Sequence, residues 1–305
     1  MLRQLFVAAG IVSVGSATGC GHAGTGLQGT PIASGTAPAS AAPSQPVPPA
    51  TGSASTASPP APDEVPAPIS QTSVPAEASE PIAARPLKGR IVVLDPGHNG
   101  GNASASTQIH RLVDAGTLRK PCNTTGTATN AGYAEAAYTW DVANRAAALL
   151  RARGARVVLT REDNRSVGPC INRRAAIANA AEADAVVAIH ADGGPPGGRG
   201  FHVIRPALVP GLTDDIDGPS RRLAAAIRSA YRAGTNLPYA TYIGRQGLDA
   251  RKDLGGLNLS DVPVVFLEGG NMRNAQDAAL LSARAFRAQA ARSIVAGLSR
   301  FLVRS

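Results

Sequence analysis

Ile91-Val92-Val93-Leu94-Asp95-Pro96-Gly97-His98-Asn99-Gly100-Gly101 is an apolar run that stops abruptly at an acid, a proline and a histidine set among glycines. Four consecutive apolar residues bounded by turn-formers predict a strand covered on both faces, the kind found inside an α/β sheet. Ligands of such sheets bind beyond the carboxyl ends of the strands, so His98 would stand at the mouth of a site. Taken alone, His98 reads equally well as a turn residue or as a functional one.

Working outward, two later stretches repeat the pattern. Ala185-Val186-Val187-Ala188-Ile189 runs into His190-Ala191-Asp192-Gly193-Gly194, and Val262-Pro263-Val264-Val265-Phe266-Leu267 runs into Glu268-Gly269-Gly270-Asn271. Three apolar strands that each end in an ionisable residue close to glycines make a shared site a better explanation than coincidence. Between the first two lies an Ala-rich helical pattern, Tyr133 to Arg153, stopped by Gly154 and carrying Glu135 in its first turn. A carboxylate there complements the helix dipole. If the strands are parallel neighbours, it also lies at the same edge as both histidines. Two His and one carboxylate form the protein ligand set of a catalytic zinc, which keeps a fourth position open for water. Glu268, ending so apolar a strand, needs an open site or a partner charge and is the expected general base.

The rest of the chain reads as follows. Arg156 to Thr160 and Gly200 to Ile204 are expected strands, Asn172 to Ala183 a helix, and Ala275 to Val303 a long amphipathic closing helix broken near Gly297. Asn102 to Gly132 lacks periodicity and reads as a long loop over the site. His110 within it should face solvent, and His202 should be structural, on one sheet face. Pro206 to Gly218 reads as a loop whose acids Asp214, Asp215 and Asp217 cap a basic helix, Ser220 to Arg232. The irregular stretch Leu237 to Leu259 places Tyr239, Tyr242 and Arg245 as candidates to line a substrate groove.

The N-terminal part is different material. More than half of the 24 prolines precede residue 91. Residues 21–85 are so rich in Pro, Ala, Ser and Thr that they cannot bury enough surface to offset their ordering entropy, and they read as a disordered tether. Residues 1–20 have the layout of a secretory signal: Arg3, an apolar run from Leu5 to Val14, then small residues up to Cys20. The run is too short to span a bilayer. The residues before Cys20 resemble a bacterial lipoprotein signal, with Ala17 where that pattern has Leu; lipidation at Cys20 and ordinary cleavage are both open. The domain is then 86–305, about 220 residues, enough for one buried core. With Cys20 set aside, Cys122 and Cys170 remain, and in an exported chain such a pair is expected to form a disulfide, two free thiols being the alternative. Charges balance before Ile91, so the net charge of +9 belongs to the domain and favours anionic surroundings. Only 4% aromatic content and the absence of a recognition motif argue against nucleic acid.

With these residues in view, the domain resembles the zinc-dependent N-acetylmuramoyl-L-alanine amidases of the amidase-3 type, which cleave peptidoglycan. The motifs that carry the resemblance are Asp95 to His98, Glu135, Ile189 to Ala191, and Glu268 to Asn271, supported by Leu159-Thr160-Arg161 and the helix from Arg174 to Asn179. In its cysteine pair and in Glu268-Gly269-Gly270-Asn271-Met272 it is similar to mycobacterial members. Ala134 stands where the family has an Arg before the Glu, and no separate wall-binding repeat is present. The resemblance implies zinc held by His98, Glu135 and His190, with Glu268 as catalytic acid/base, in a mostly parallel central sheet with helices on both faces. It implies hydrolysis of the amide between N-acetylmuramic acid and L-alanine of the stem peptide. The expected partner is peptidoglycan or a muramyl peptide, met outside the membrane in the periplasm or cell wall by a monomer. A wall-binding or regulatory protein on the same fold, or a peptidoglycan endopeptidase or carboxypeptidase, is the competing reading. Asp95 is expected to form the turn or support His98 rather than act as an acid.

Overall fold

The computed structural model describes residues 86–303; the expected signal at 1–20 and tether at 21–85 lie outside the described residues. In chain order the elements are β1 (Ile91–Pro96), a short 3-10 turn (Gly100–Ser104), α1 (Ser106–His110), β2 (Leu112–Asp114), β3 (Arg119–Pro121), α2 (Glu135–Ala152), β4 (Arg156–Leu159) and α3 (Ile171–Ala180). They continue with β5 (Ala185–Asp192), β6 (His202–Pro206), α4 (Asp214–Thr235), β7 (Leu248–Arg251), α5 (Gly255–Asn258), β8 (Val264–Asn271), α6 (Ala275–Ser282) and α7 (Arg284–Leu302).

Six strands form one sheet in the order β4-β1-β5-β8-β6-β7. The first four run parallel, and β6 enters antiparallel to β8 before pairing in parallel with β7. Because successive side chains alternate across a strand, each buried strand feeds two layers. Val92, Leu94, Val187, Ile189, Val265 and Leu267 pack into the larger core with α2, α4 and α7. Val93, Val186, Ile204 and Val264 pack on the opposite face, against residues of α3, α4 and α5. Burial on both faces is what made the apolar runs continuous in sequence rather than alternating.

Four expectations are corrected in detail. The stretch 237–259, expected to be irregular, holds the short elements β7 and α5. The segment 102–132 is not all loop: it holds α1 and the antiparallel β2–β3 hairpin, elements too short to leave a periodic signal. Asp214, Asp215 and Asp217 lie inside the first turn of α4, which starts before the expected Ser220 and continues through Pro219. The closing helix is interrupted at Ala283, whose backbone is extended (φ −79°, ψ 127°), and not at Gly297. Gly297 serves another purpose: a Cβ there would lie 2.9 Å from Ile227 Cα, so glycine lets α7 and α4 approach closely.

The expected disulfide is present. Cys122, directly after β3, is bonded to Cys170, the residue preceding α3, across a separation of 48 residues. The Cys122 carbonyl also accepts the Ile171 N–H at 2.8 Å, so the hairpin is fastened to the start of α3 by a covalent link and a hydrogen bond. Among the described residues no helix is long and apolar enough to cross a membrane.

Candidate metal centre

The site forms where β1, β5 and β8 end. Gly97 N–H donates to the Ile189 carbonyl at 3.0 Å, which closes the β1–β5 ladder one residue before His98. Gly97 has to be glycine because a Cβ would enter the His190 imidazole. His98 itself takes the left-handed region, φ 61°, uncommon for a residue with a side chain and maintained only where the surroundings over-determine it. Two buried arginines do so here. Arg174 donates to the carbonyls of Pro96 at 2.9 Å and His98 at 2.8 Å, and Arg161 donates to the Pro96 carbonyl at 2.8 Å. Asp95 neutralises Arg174 through an ion pair and accepts the Thr160 hydroxyl. Burial opposes the ionised form of Asp95, but Arg174 and the Thr160 hydrogen bond outweigh it and hold its carboxyl below the usual range. Asp95 therefore supports the turn, as the sequence suggested.

His98, Glu135 and His190 offer ligand atoms that all lie within 4.8 Å of one another. One carboxylate oxygen of Glu135, Oε1, lies 3.1 Å from His98 Nε2 and 3.0 Å from His190 Nδ1. Its other oxygen accepts the Thr127 N–H at 2.9 Å, which fixes the carboxylate plane. His98 Nδ1 lies 3.1 Å from the Thr124 carbonyl, so that nitrogen carries the proton and Nε2 is left as a lone-pair donor. His190 is fixed by stacking on Phe266 with ring centroids 5.1 Å apart. Two imidazoles and a carboxylate, each oriented by a further group, fit the three protein positions of a catalytic zinc site.

Glu268 sits on β8 directly opposite His190 of β5 and opposite His202 of β6. It lines a cleft of about 230 Å³ with His98, Glu135 and His190. Burial pushes its carboxyl well above the usual carboxylate range, and the nearby charges of Glu135 and Asp192 push in the same direction. A bound dication would counter all three effects, leaving a carboxylate poised to take a proton.

All four expected site residues thus converge. Other candidates do not join them. His110 is exposed and bonded to Ser106, and His202 is buried at 1% exposure within β6. Tyr239 packs on Phe201 with Arg228 and Arg232 over its ring, while Tyr242 packs beside His202. Neither tyrosine lines the metal cleft, nor does Arg245. Thr124, Thr127 and Arg251 were missed: Thr127 acts through its backbone N–H and Thr124 through its carbonyl and hydroxyl, both 3.1 Å from His98 Nδ1, contacts that residue type does not reveal, and Arg251 stands in an unremarkable polar stretch.

Comparison with known proteins shows the family. The family model described as N-acetylmuramoyl-L-alanine amidase matches residues 92–300. The chain is 42% identical over 217 residues to N-acetylmuramoyl-L-alanine amidase Rv3717 of Mycobacterium tuberculosis, an alignment covering 71% of this chain and 88% of that protein. The crystal structure of the N-acetylmuramyl-L-alanine amidase Ami1 from Mycobacterium smegmatis superposes with a TM-score of 0.68 at 44% identity, covering 72% of this chain and 99% of that one. The apo form of Ami1 from Mycobacterium abscessus gives 0.66 at 44% identity, covering 71% and 100%. By the extent of the family match and the identity to these relatives, the chain belongs to the N-acetylmuramoyl-L-alanine amidase family.

Proposed function

We infer that this protein is a zinc-dependent amidase that hydrolyses the bond between N-acetylmuramic acid and L-alanine of the peptidoglycan stem peptide, in wall remodelling or daughter-cell separation. The observation that carries the reading is the convergence of His98, Glu135 and His190 on one point, with Glu268 across the cleft. His98, Glu135 and His190 would hold the metal. Bound there, zinc supplies polarisation of the scissile carbonyl and acidification of water, whose pKa falls toward about 7 in such sites.

The chain's own residues do the remainder. Glu268 takes the proton of the attacking water and delivers it to the departing amine nitrogen of L-alanine, so one carboxylate serves as base and then acid. Phe266 and Leu254 contribute apolar lining to the cleft in which this transfer takes place. The Thr124 carbonyl keeps His98 in one tautomer, and the Thr127 N–H keeps Glu135 from rotating. Export by residues 1–20, with Cys20 as a lipid attachment point on the outer face of the membrane, would bring a monomer to its polymer. Residues 21–85 would act as the tether.

The test is direct. The purified protein should release intact stem peptides from muramyl peptides, lose activity on chelation and regain it with zinc. Glu268→Gln should lower kcat about 10²–10⁴-fold while metal analysis still finds one zinc per chain. Products cut within the peptide would overturn the assignment in favour of an endopeptidase or carboxypeptidase.

A further inference from the structure

The metal cleft is lined by three carboxylates, Glu135, Asp192 and Glu268, and by one guanidinium, Arg251. Arg251 ends β7, and its register opposite Pro206 of β6 puts it on the same sheet face as Ile204, His202 and, through them, Phe266 and Glu268. It stands four positions along β6 from the His202–Glu268 pair, and it lines the same cleft as Glu268.

The guanidinium is held in place by one edge only. Nε donates to Asp253 Oδ1 at 2.8 Å and Nη2 to Asp253 Oδ2 at 2.6 Å, a bidentate pair. Asp253 is in turn tied down by Lys120 of β3, whose Nζ donates to the Asp253 carbonyl at 2.9 Å. This arrangement spends the Nε–Nη2 edge on positioning. The Nη1 end makes no hydrogen bond to protein among the described residues, and the residue is about one-third exposed at the cleft. A planar fork with one edge anchored and the other open is a preorganised receptor for a second carboxylate.

The geometry points to Arg251 as the specificity-determining residue that binds a free carboxylate on the leaving peptide, one residue beyond the L-alanine whose amide is cleaved. This rests on the amidase reading above. An extended peptide advances at most about 3.3–3.6 Å per residue, so the second residue's carboxyl lies several ångströms from the scissile bond, which suits a cation at the far end of the cleft. The electrostatics point the same way. Among the described residues Arg251 is the one guanidinium lining the cleft, so a carboxylate on the peptide gains an ion pair there that a neutral group does not. An amide at the same position would gain no ion pair and would leave the carboxylate-rich cleft unchanged.

Two matched muramyl tripeptides, N-acetylmuramoyl-L-alanyl-γ-D-glutamyl-L-lysine and the same compound with the glutamyl α-carboxyl amidated, test this. The native enzyme should cleave the free acid with kcat/KM about tenfold above the amide, the difference residing in KM. Arg251→Gln should abolish the discrimination, bringing KM for the free acid to that of the amide, and Arg251→Lys should keep part of the preference. Equal kcat/KM for the two tripeptides in the native enzyme would overturn the proposal while leaving the amidase reading intact. So would a folded Arg251→Gln variant that keeps the full preference. Cleavage of neither compound would instead overturn the amidase reading and this proposal with it.

Discussion

At the scale of single residues, Asp95 shows how a site is held together by a group that takes no part in its chemistry. Its carboxylate neutralises Arg174, which grips the carbonyls on either side of Gly97 and so maintains the left-handed His98. Both side chains are under 10% exposed, so removing one charge strands the other in the interior. Asp95→Asn should therefore cost about 3 kcal/mol or more of folding stability, read from chemical denaturation at neutral pH. The pH dependence follows from the depressed folded-state pKa of Asp95. With the unfolded value near 3.9, its contribution is full above that pH and is lost as pH falls through the lower folded value. Denaturation midpoints of the native protein should fall more steeply with acid below about pH 4 than those of Asp95→Asn. Parallel slopes would show that the ion pair does not control this window.

At the scale of elements, legibility depended on how each one stores its information. The strands β1, β5 and β8 were readable because burial on both faces leaves long apolar runs, and His98, His190 and Glu268 were readable because each run ends in a titratable group within three residues of a glycine. The hairpin β2–β3 was not, since three-residue strands carry no period and their outer residues Leu112 and Arg119 are exposed. What the sequence did disclose about that region was its staple, Cys122 and Cys170. The bond precedes Thr124 by two residues, so it fixes the segment whose carbonyl orients His98. Replacing both cysteines by alanine should lower folding stability by about 4 kcal/mol in the chain-entropy account of a loop this long. It should also weaken metal retention, because the carbonyl that fixes the His98 tautomer loses its anchor; loss of that kind of outer support costs roughly 10–100-fold in metal affinity. Titration with a chromophoric chelator separates the two effects, and unchanged affinity would show that the hairpin is fastened well enough without the bond.

At the scale of the whole molecule, the metal centre joins parts of the chain that are distant in sequence: the end of β1, the start of α2 and the end of β5. The ligands are brought together by the parallel β1–β5 pairing and by the helix that crosses between them, so the site exists only in the folded chain. Arg251 escaped the sequence reading for the same reason. Its relation to Glu268 is created by β6 running antiparallel to β8 and parallel to β7, a reversal that no local pattern encodes. Because an unfolded chain scatters the three ligands, metal binding energy becomes folding energy. Free zinc at a thousandfold above the dissociation constant should add about 4 kcal/mol to the native state, which for a domain of this size raises Tm on the order of 10 °C over the chelated protein. The shift should grow with the logarithm of free zinc and vanish in a His98→Ala, His190→Ala double variant. A Tm indifferent to zinc in the native protein would show that these three side chains do not hold the metal, and would redirect the search for the catalytic group to Glu268 and the cleft around it.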